Sequence, residues 1–156
     1  MSAQDSFSFT PKEWLTLQFA PLWVFVLVAG ADGVLHRKEL RVFTRALRKG
    51  VFSKDPLVHE VLWNLSRELD RVLGHFSEDS RHPDDGLREV ADVISEKAEP
   101  RQLAAFAKAL EGIGKKVAEA SRPGPFRMGG KASPEEKTAI DGIRSYFSPP
   151  DPTDPA

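Results

Sequence analysis

At 156 residues, 40% of them apolar, the chain has the length of one domain and enough hydrophobic side chains for a single core. Its 22 Lys and Arg against 23 Asp and Glu leave a net charge of −1, without the basic excess of a dedicated nucleic-acid binder, so nucleic acid is not expected among its partners. The absence of cysteine excludes disulfides, thiol catalysis and cysteine-ligated metal centres.

Residues 1–9 lack the basic n-region and apolar core of a signal peptide and read as a flexible N-terminus, which makes a cytoplasmic location the expectation. Thr10-Pro11-Lys12-Glu13 carries a capping box with proline at the first helical position, so a helix should open at Pro11. It should run to about Gly30, and Pro21 predicts a kink or a break near Gln18 to Ala20. Residues 14–31 carry no charge and reach the lower limit of a membrane span. Thr16, Gln18 and Pro21 interrupt the run and no Lys or Arg cluster flanks it, which favours a buried core helix.

A second helix is predicted from Arg37 to Lys49, with Leu40, Phe43 and Leu47 inward and Gly50 as its stop. Asp55 and Pro56 should open a third, whose apolar positions recur from Leu57 to Leu73. Residues 74–86 read as a polar loop. A fourth helix is predicted from about Asp85 to Ala98, a fifth from Pro100 past Val117, and a sixth from Ser133-Pro134 to near Phe147. Residues 148–156, rich in Pro and Asp, read as a disordered tail. No segment alternates as a strand does, so the fold class is all-α: a compact bundle of six to seven helices over residues 10–147.

Charge is uneven along this chain. Residues 36–49 carry six Lys or Arg and one acid, whereas residues 59–99 carry eleven acids and five bases. The two stretches either neutralise each other inside the fold or leave a surface that selects a charged partner. Arg37, Arg41, Arg45 and Arg48 recur at spacings of four, four and three, which places them on one helix face. Such a row can be a solvated face, or can dock an acidic protein partner, a phosphate or a lipid headgroup.

Two segments share a pattern. Asp32-Gly33-Val34-Leu35-His36-Arg37-Lys38-Glu39 precedes the second helix, and Gly129-Gly130-Lys131-Ala132-Ser133-Pro134-Glu135-Glu136 precedes the sixth. In each, a Gly turn leads to a Glu three residues after His36 or Ser133, a capping-box position. The pattern resembles that of the tellurite-resistance protein B (TerB)-like family, in which a long apolar helix ends in an Ala-Asp-Gly turn and a second such turn lies near the C-terminus. The resemblance covers most of residues 11–147 and is best over 22–47. It implies an all-α domain of about seven short helices. It also implies a non-catalytic stress-response or adaptor role, often beside membrane-associated complexes, and a divalent cation held near the acidic turns. Carried over, the candidate ligands are Asp32 and Glu39 from the first motif and Glu136 from the second. The sequence departs from the family at Gly129, where the second Asp belongs. The same residues also serve as turn and caps without any metal. Asp32, Gly33 and Glu39 match EF-hand positions 5, 6 and 12, but positions 1 and 3 would be Val28 and Gly30, which rules out a calcium loop.

His75, Glu78, Asp79, His82, Asp84 and Asp85 crowd one stretch, at spacings that match no helical ligand pair. No nucleophile elbow, P-loop or dinucleotide fingerprint occurs, so no enzyme activity is expected. Trp23 belongs in the core, whereas Trp14 and Trp63 lie near helix ends or flanks, where either partial burial or an interface would suit them. Two functions follow from this reading. The first is a TerB-like stress-response module binding a divalent cation, and the second is a metal-independent interaction module using the arginine face.

Overall fold

The first helix, α1 (Pro11–Ala29), starts as its residue types dictate. The Thr10 amide donates to Glu13 Oε1 at 2.9 Å and the Glu13 amide to Thr10 Oγ1 at 3.1 Å, a closed capping box. Phe9 then packs on Trp14, ring centroids 6.2 Å apart, as the hydrophobic staple that fixes the chain's entry. Packing therefore begins at Phe9, which is buried. The computed structural model describes residues 8–29, 37–120 and 134–147, with the side chains of 37–39, 120 and 134–136 outside that set.

Six further helices follow among the described residues: α2 (Arg37–Gly50), α3 (Pro56–Arg67), α4 (Leu69–Glu78), α5 (Pro83–Lys97), α6 (Pro100–Ala120) and α7 (Pro134–Tyr146). No strand occurs among the described residues. The fold is an all-α bundle, and α1 is its axis. It packs against α3, α4, α5, α6 and α7, while α2 lies across α6 and α3. By length and composition α1 could cross a membrane, at a mean hydropathy of 1.2, but 72% of its apolar window is buried in the bundle. It is apolar on all sides because it has neighbours on all sides.

Three expectations are corrected. Pro21 does not divide α1, which stays helical through it. A proline removes one backbone bond. Here the surrounding helices hold the segment, with Leu17, Ala20 and Val24 fully buried on both sides of the gap. The predicted third helix is two: Glu68, with φ −114° and ψ 25°, ends α3 and begins α4. The predicted loop over 74–86 is largely helical, since α4 continues to Glu78 and α5 opens at Pro83 rather than Asp85. His82 makes that earlier start, its Nδ1 accepting from the Asp84 amide at 3.3 Å. Asp55 caps α3 as predicted, accepting from the Val58 amide at 3.0 Å. The stretches 1–7 and 148–156 lie outside the described residues.

The α4–α5 connection is fixed to α1 by Arg81. Its Nη2 donates to Asp79 Oδ2 at 2.8 Å, its Nε to Asp79 Oδ1 at 3.0 Å, and its Nη1 to Glu89 Oε2 at 2.6 Å and Thr16 Oγ1 at 3.2 Å. The same guanidinium lies 5.0 Å over the Trp23 ring and 5.8 Å over Phe19. Trp23, Phe19 and Phe76 form the aromatic cluster beneath it. A methyl group placed at Gly86 would meet the Trp23 indole at 2.5 Å, so α5 passes this cluster only because residue 86 has no side chain. At the same end of α5, the Tyr146 hydroxyl donates to Asp84 Oδ1 and ties α7 down.

Candidate functional site

The acidic-turn ligands fall mostly outside the described residues. Asp32 lies there entirely. Glu39 and Glu136 are each the third residue of their helix, α2 and α7, and their side chains are outside the described set. That shared position is the one a capping box requires. Among the described residues no group of three or more His, Asp or Glu side chains is placed to hold a metal ion. The acidic stretch around His75 is used otherwise. Asp79 binds Arg81, Asp84 receives the Tyr146 hydroxyl, and His82 caps α5. The guanidinium hydrogen bonds hold the Asp79 carboxyl below its ordinary value, against the opposing effect of burial. Burial first, then the bond to Asp84, pushes the Tyr146 phenol up to about 12.

The arginine row is a real face. In α2 the inward positions are Phe43, Ala46 and Leu47, all buried. Arg41, Arg45 and Arg48 stand opposite them and are exposed. Arg37 is the first residue of the same helix, its side chain outside the described set. Among the described residues no carboxylate pairs with Arg41, Arg45 or Arg48. Five of the eleven acids of residues 59–99 are instead matched to nearby arginines: Glu68 with Arg71, Asp79 and Glu89 with Arg81, Asp85 with Arg88, and Glu99 with Arg101. Lys97 turns to Glu13, 2.5 Å away. The two oppositely charged stretches do not neutralise each other among the described side chains.

Next to this face the structure adds residues that periodicity did not single out. Phe52, two residues past α2, is 85% exposed. Trp63 on α3 is 43% exposed, whereas Trp14 is buried with Trp23. Trp63 lies between neighbours one turn away on either side: the His59 ring is parallel to it within 6° at 6.4 Å, and the Arg67 guanidinium sits 5.7 Å over it. Leu40, assigned to the inward stripe, is 48% exposed. Phe52 follows a helix-stopping glycine and belongs to no repeating pattern, so only its adjacency to Lys49 and Lys54 could have marked it.

A cleft of about 330 Å³ lies at the start of α1, lined by Pro11, Lys12, Trp14, Leu15, Gln18 and Arg71. Gln18 is 1% exposed, and no protein group among the described residues accepts from its Nε2.

No known protein family matches the chain by its sequence profile, and no solved structure matches it. A segment of 46 residues is 50% identical to part of the uncharacterized protein ORF11′ of Methanothermobacter thermautotrophicus. The match covers 29% of this chain and 31% of that protein's length.

Proposed function

We propose that this protein is a non-catalytic interaction module that docks an acidic protein partner through the basic face of α2. The observation that carries this reading is the set Arg41, Arg45 and Arg48, exposed and without a carboxylate partner among the described residues, while Glu68, Asp79, Asp85 and Glu89 pair with other arginines. Unmatched guanidinium groups in a row attract and orient carboxylates, and they speed encounter in a salt-dependent way. We place the module in the cytoplasm, a setting with which the burial of α1 within the bundle is compatible. The test is titration calorimetry of a purified binding partner against wild type and the Arg41→Glu/Arg45→Glu variant. The variant should lose at least about tenfold in affinity, and the wild-type affinity should fall with salt. Equal affinity for both proteins would sink the proposal.

The TerB-like reading, a stress-response module with a divalent cation at the Asp32 turn, rests on the sequence pattern that gives Glu39 and Glu136 the same place in α2 and α7, a place that a capping box also fills without metal. Melts of the chelated protein with Mg²⁺, Ca²⁺, Mn²⁺ or Zn²⁺ test it. Saturation at about 100 times Kd should add about 2.7 kcal/mol, and Asp32→Asn should abolish the gain. No gain with any of the four metals would end it.

A further inference from the structure

We infer that the acidic partner is a polypeptide segment carrying an aromatic or large aliphatic side chain, which packs against Phe52 and Trp63 while its carboxylates lie along Arg45 and Arg48. The inference rests on the proposed docking role of α2 and adds a second element, an apolar anchor site at the α2–α3 corner.

The corner is built rather than loose. Gly50 lets the end of α2 press directly on the side chain of Leu62, the residue before Trp63, and a methyl group at Gly50 would force Leu62 Cδ1 to shift. The chain then leaves α2 in a tight turn, the Phe52 amide donating to Lys49 O at 3.1 Å and the Ser53 amide to Gly50 O at 3.0 Å. His59 Nδ1 lies 2.5 Å from Val51 O and ties that turn to α3. The same His59 ring flanks Trp63, so the turn and the tryptophan share one support. Phe52 is thus presented to solvent from an ordered backbone, and Trp63 is already oriented by His59 and Arg67. A side chain positioned before binding gives up little rotamer freedom when it binds.

Charge decides the kind of partner. Residues 40–67 carry six Lys or Arg and two acids. Both acids have other employment: Asp55 caps α3, while Glu60 accepts from Asn64 Nδ2 at 3.4 Å and lies 4.0 Å from His59 Nε2. Exposed aromatics beside arginines match the composition of interface anchors, with an apolar centre and a charged rim. A narrow acidic segment can follow the cations from Arg45 to the corner. A broad anionic bilayer would also meet the charge of Asp70, exposed just past the α3–α4 turn.

The experiment uses two short fluorescein-labelled peptides of Glu and Asp, identical except that one has a central Phe and the other Ser. Anisotropy is read at low ionic strength with wild type, Phe52→Ser, Trp63→Ala and Arg45→Glu/Arg48→Glu. Vesicles of phosphatidylcholine with and without phosphatidylglycerol form a parallel arm. The Phe peptide should bind wild type about tenfold more tightly than its twin. Phe52→Ser and Trp63→Ala should erase that preference while keeping the charge-driven binding, and the arginine variant should weaken both peptides. Phe52→Ser alters a side chain that is almost wholly exposed and should melt like wild type, while the melt of Trp63→Ala, which removes a half-buried indole, is measured before its binding is read. Equal binding of the twins, or a preference that survives in both aromatic variants, overturns the anchor site and leaves the arginine face standing. Binding indifferent to Arg45→Glu/Arg48→Glu overturns the docking reading itself. Capture by anionic vesicles without peptide binding assigns the corner to a membrane and overturns the inference.

Discussion

Replacing Gly86 with alanine should destabilise this protein although it improves the local helix. A methyl group at residue 86 would stand 2.5 Å from Trp23 Cε2 and Cζ2 and 2.6 Å from Cη2. Carbon atoms rest at about 3.5–4.0 Å, so the indole or α5 must move by about 1 Å. The indole has nowhere to go. It is 1% exposed, with Phe19 at 5.5 Å, Phe76 at 6.1 Å and the Arg81 guanidinium at 5.0 Å around it. Overpacking of this kind costs about 1–3 kcal/mol, against a helix-propensity gain of about 1 kcal/mol for Gly→Ala. The net loss is up to about 2 kcal/mol, which lowers Tm by up to about 6 °C in a domain of this size. Gly112 in α6 is the control, because a methyl group there meets nothing within 4 Å. Gly112→Ala should raise Tm by about 2–4 °C. Calorimetric melts of both variants decide the matter, and a Gly86→Ala protein that gains as much Tm as Gly112→Ala would refute the packing of α5 on Trp23.

Tyr146 is the single tyrosine, so ultraviolet titration of the tyrosinate band reads it alone; an apparent pKa of about 12 is expected, and a value near 10 would mean that the hydroxyl does not reach Asp84. Because that folded value is raised, its contribution to stability is full below pH 10 and is lost as pH rises through about 12, and Tyr146→Phe should remove this alkaline loss. The Asp79 carboxyl is depressed in the fold, so its contribution is full above its ordinary value of 3.8 and disappears as pH falls through the lower folded value; the stability gap between wild type and Asp79→Asn in urea titrations should hold at neutral pH and close in acid. Gln18→Leu removes a buried amide nitrogen that no described protein group satisfies and should stabilise by about 1–3 kcal/mol in urea unfolding, whereas a clear loss would show that the amide is bonded.

Helix starts were legible wherever a side chain or a ring makes them. Thr10 with Glu13, Asp55 with Pro56, and the prolines at positions 100 and 134 all open helices where their chemistry places them. Changes of direction without such a marker were not legible. Leu65, Leu69 and Val72 keep a helical rhythm straight across Glu68, because α3 and α4 bury consecutive stretches against neighbouring parts of one core. Leu73, inward if the helix were continuous, is 38% exposed after the turn. Pro21 misled in the opposite sense, since local preference yields to a helix packed on every side. The candidate site divides in the same way. The arginine row follows from spacing alone, while Phe52 and the His59–Trp63–Arg67 stack depend on which face of α3 the bundle leaves outside.

The central place of α1 has a consequence during synthesis. This helix is made early, yet it rests chiefly on α5, α6 and α7, which are made last. More than fifty residues separate Ala29 from Pro83, and at about 5–20 residues per second a ribosome needs several seconds to supply the first of those neighbours. For that interval the growing chain presents an uncovered greasy rod of nearly the length that membrane-targeting factors and chaperones recognise. A chain halted before α5 should therefore be captured or aggregate rather than persist as a shorter domain.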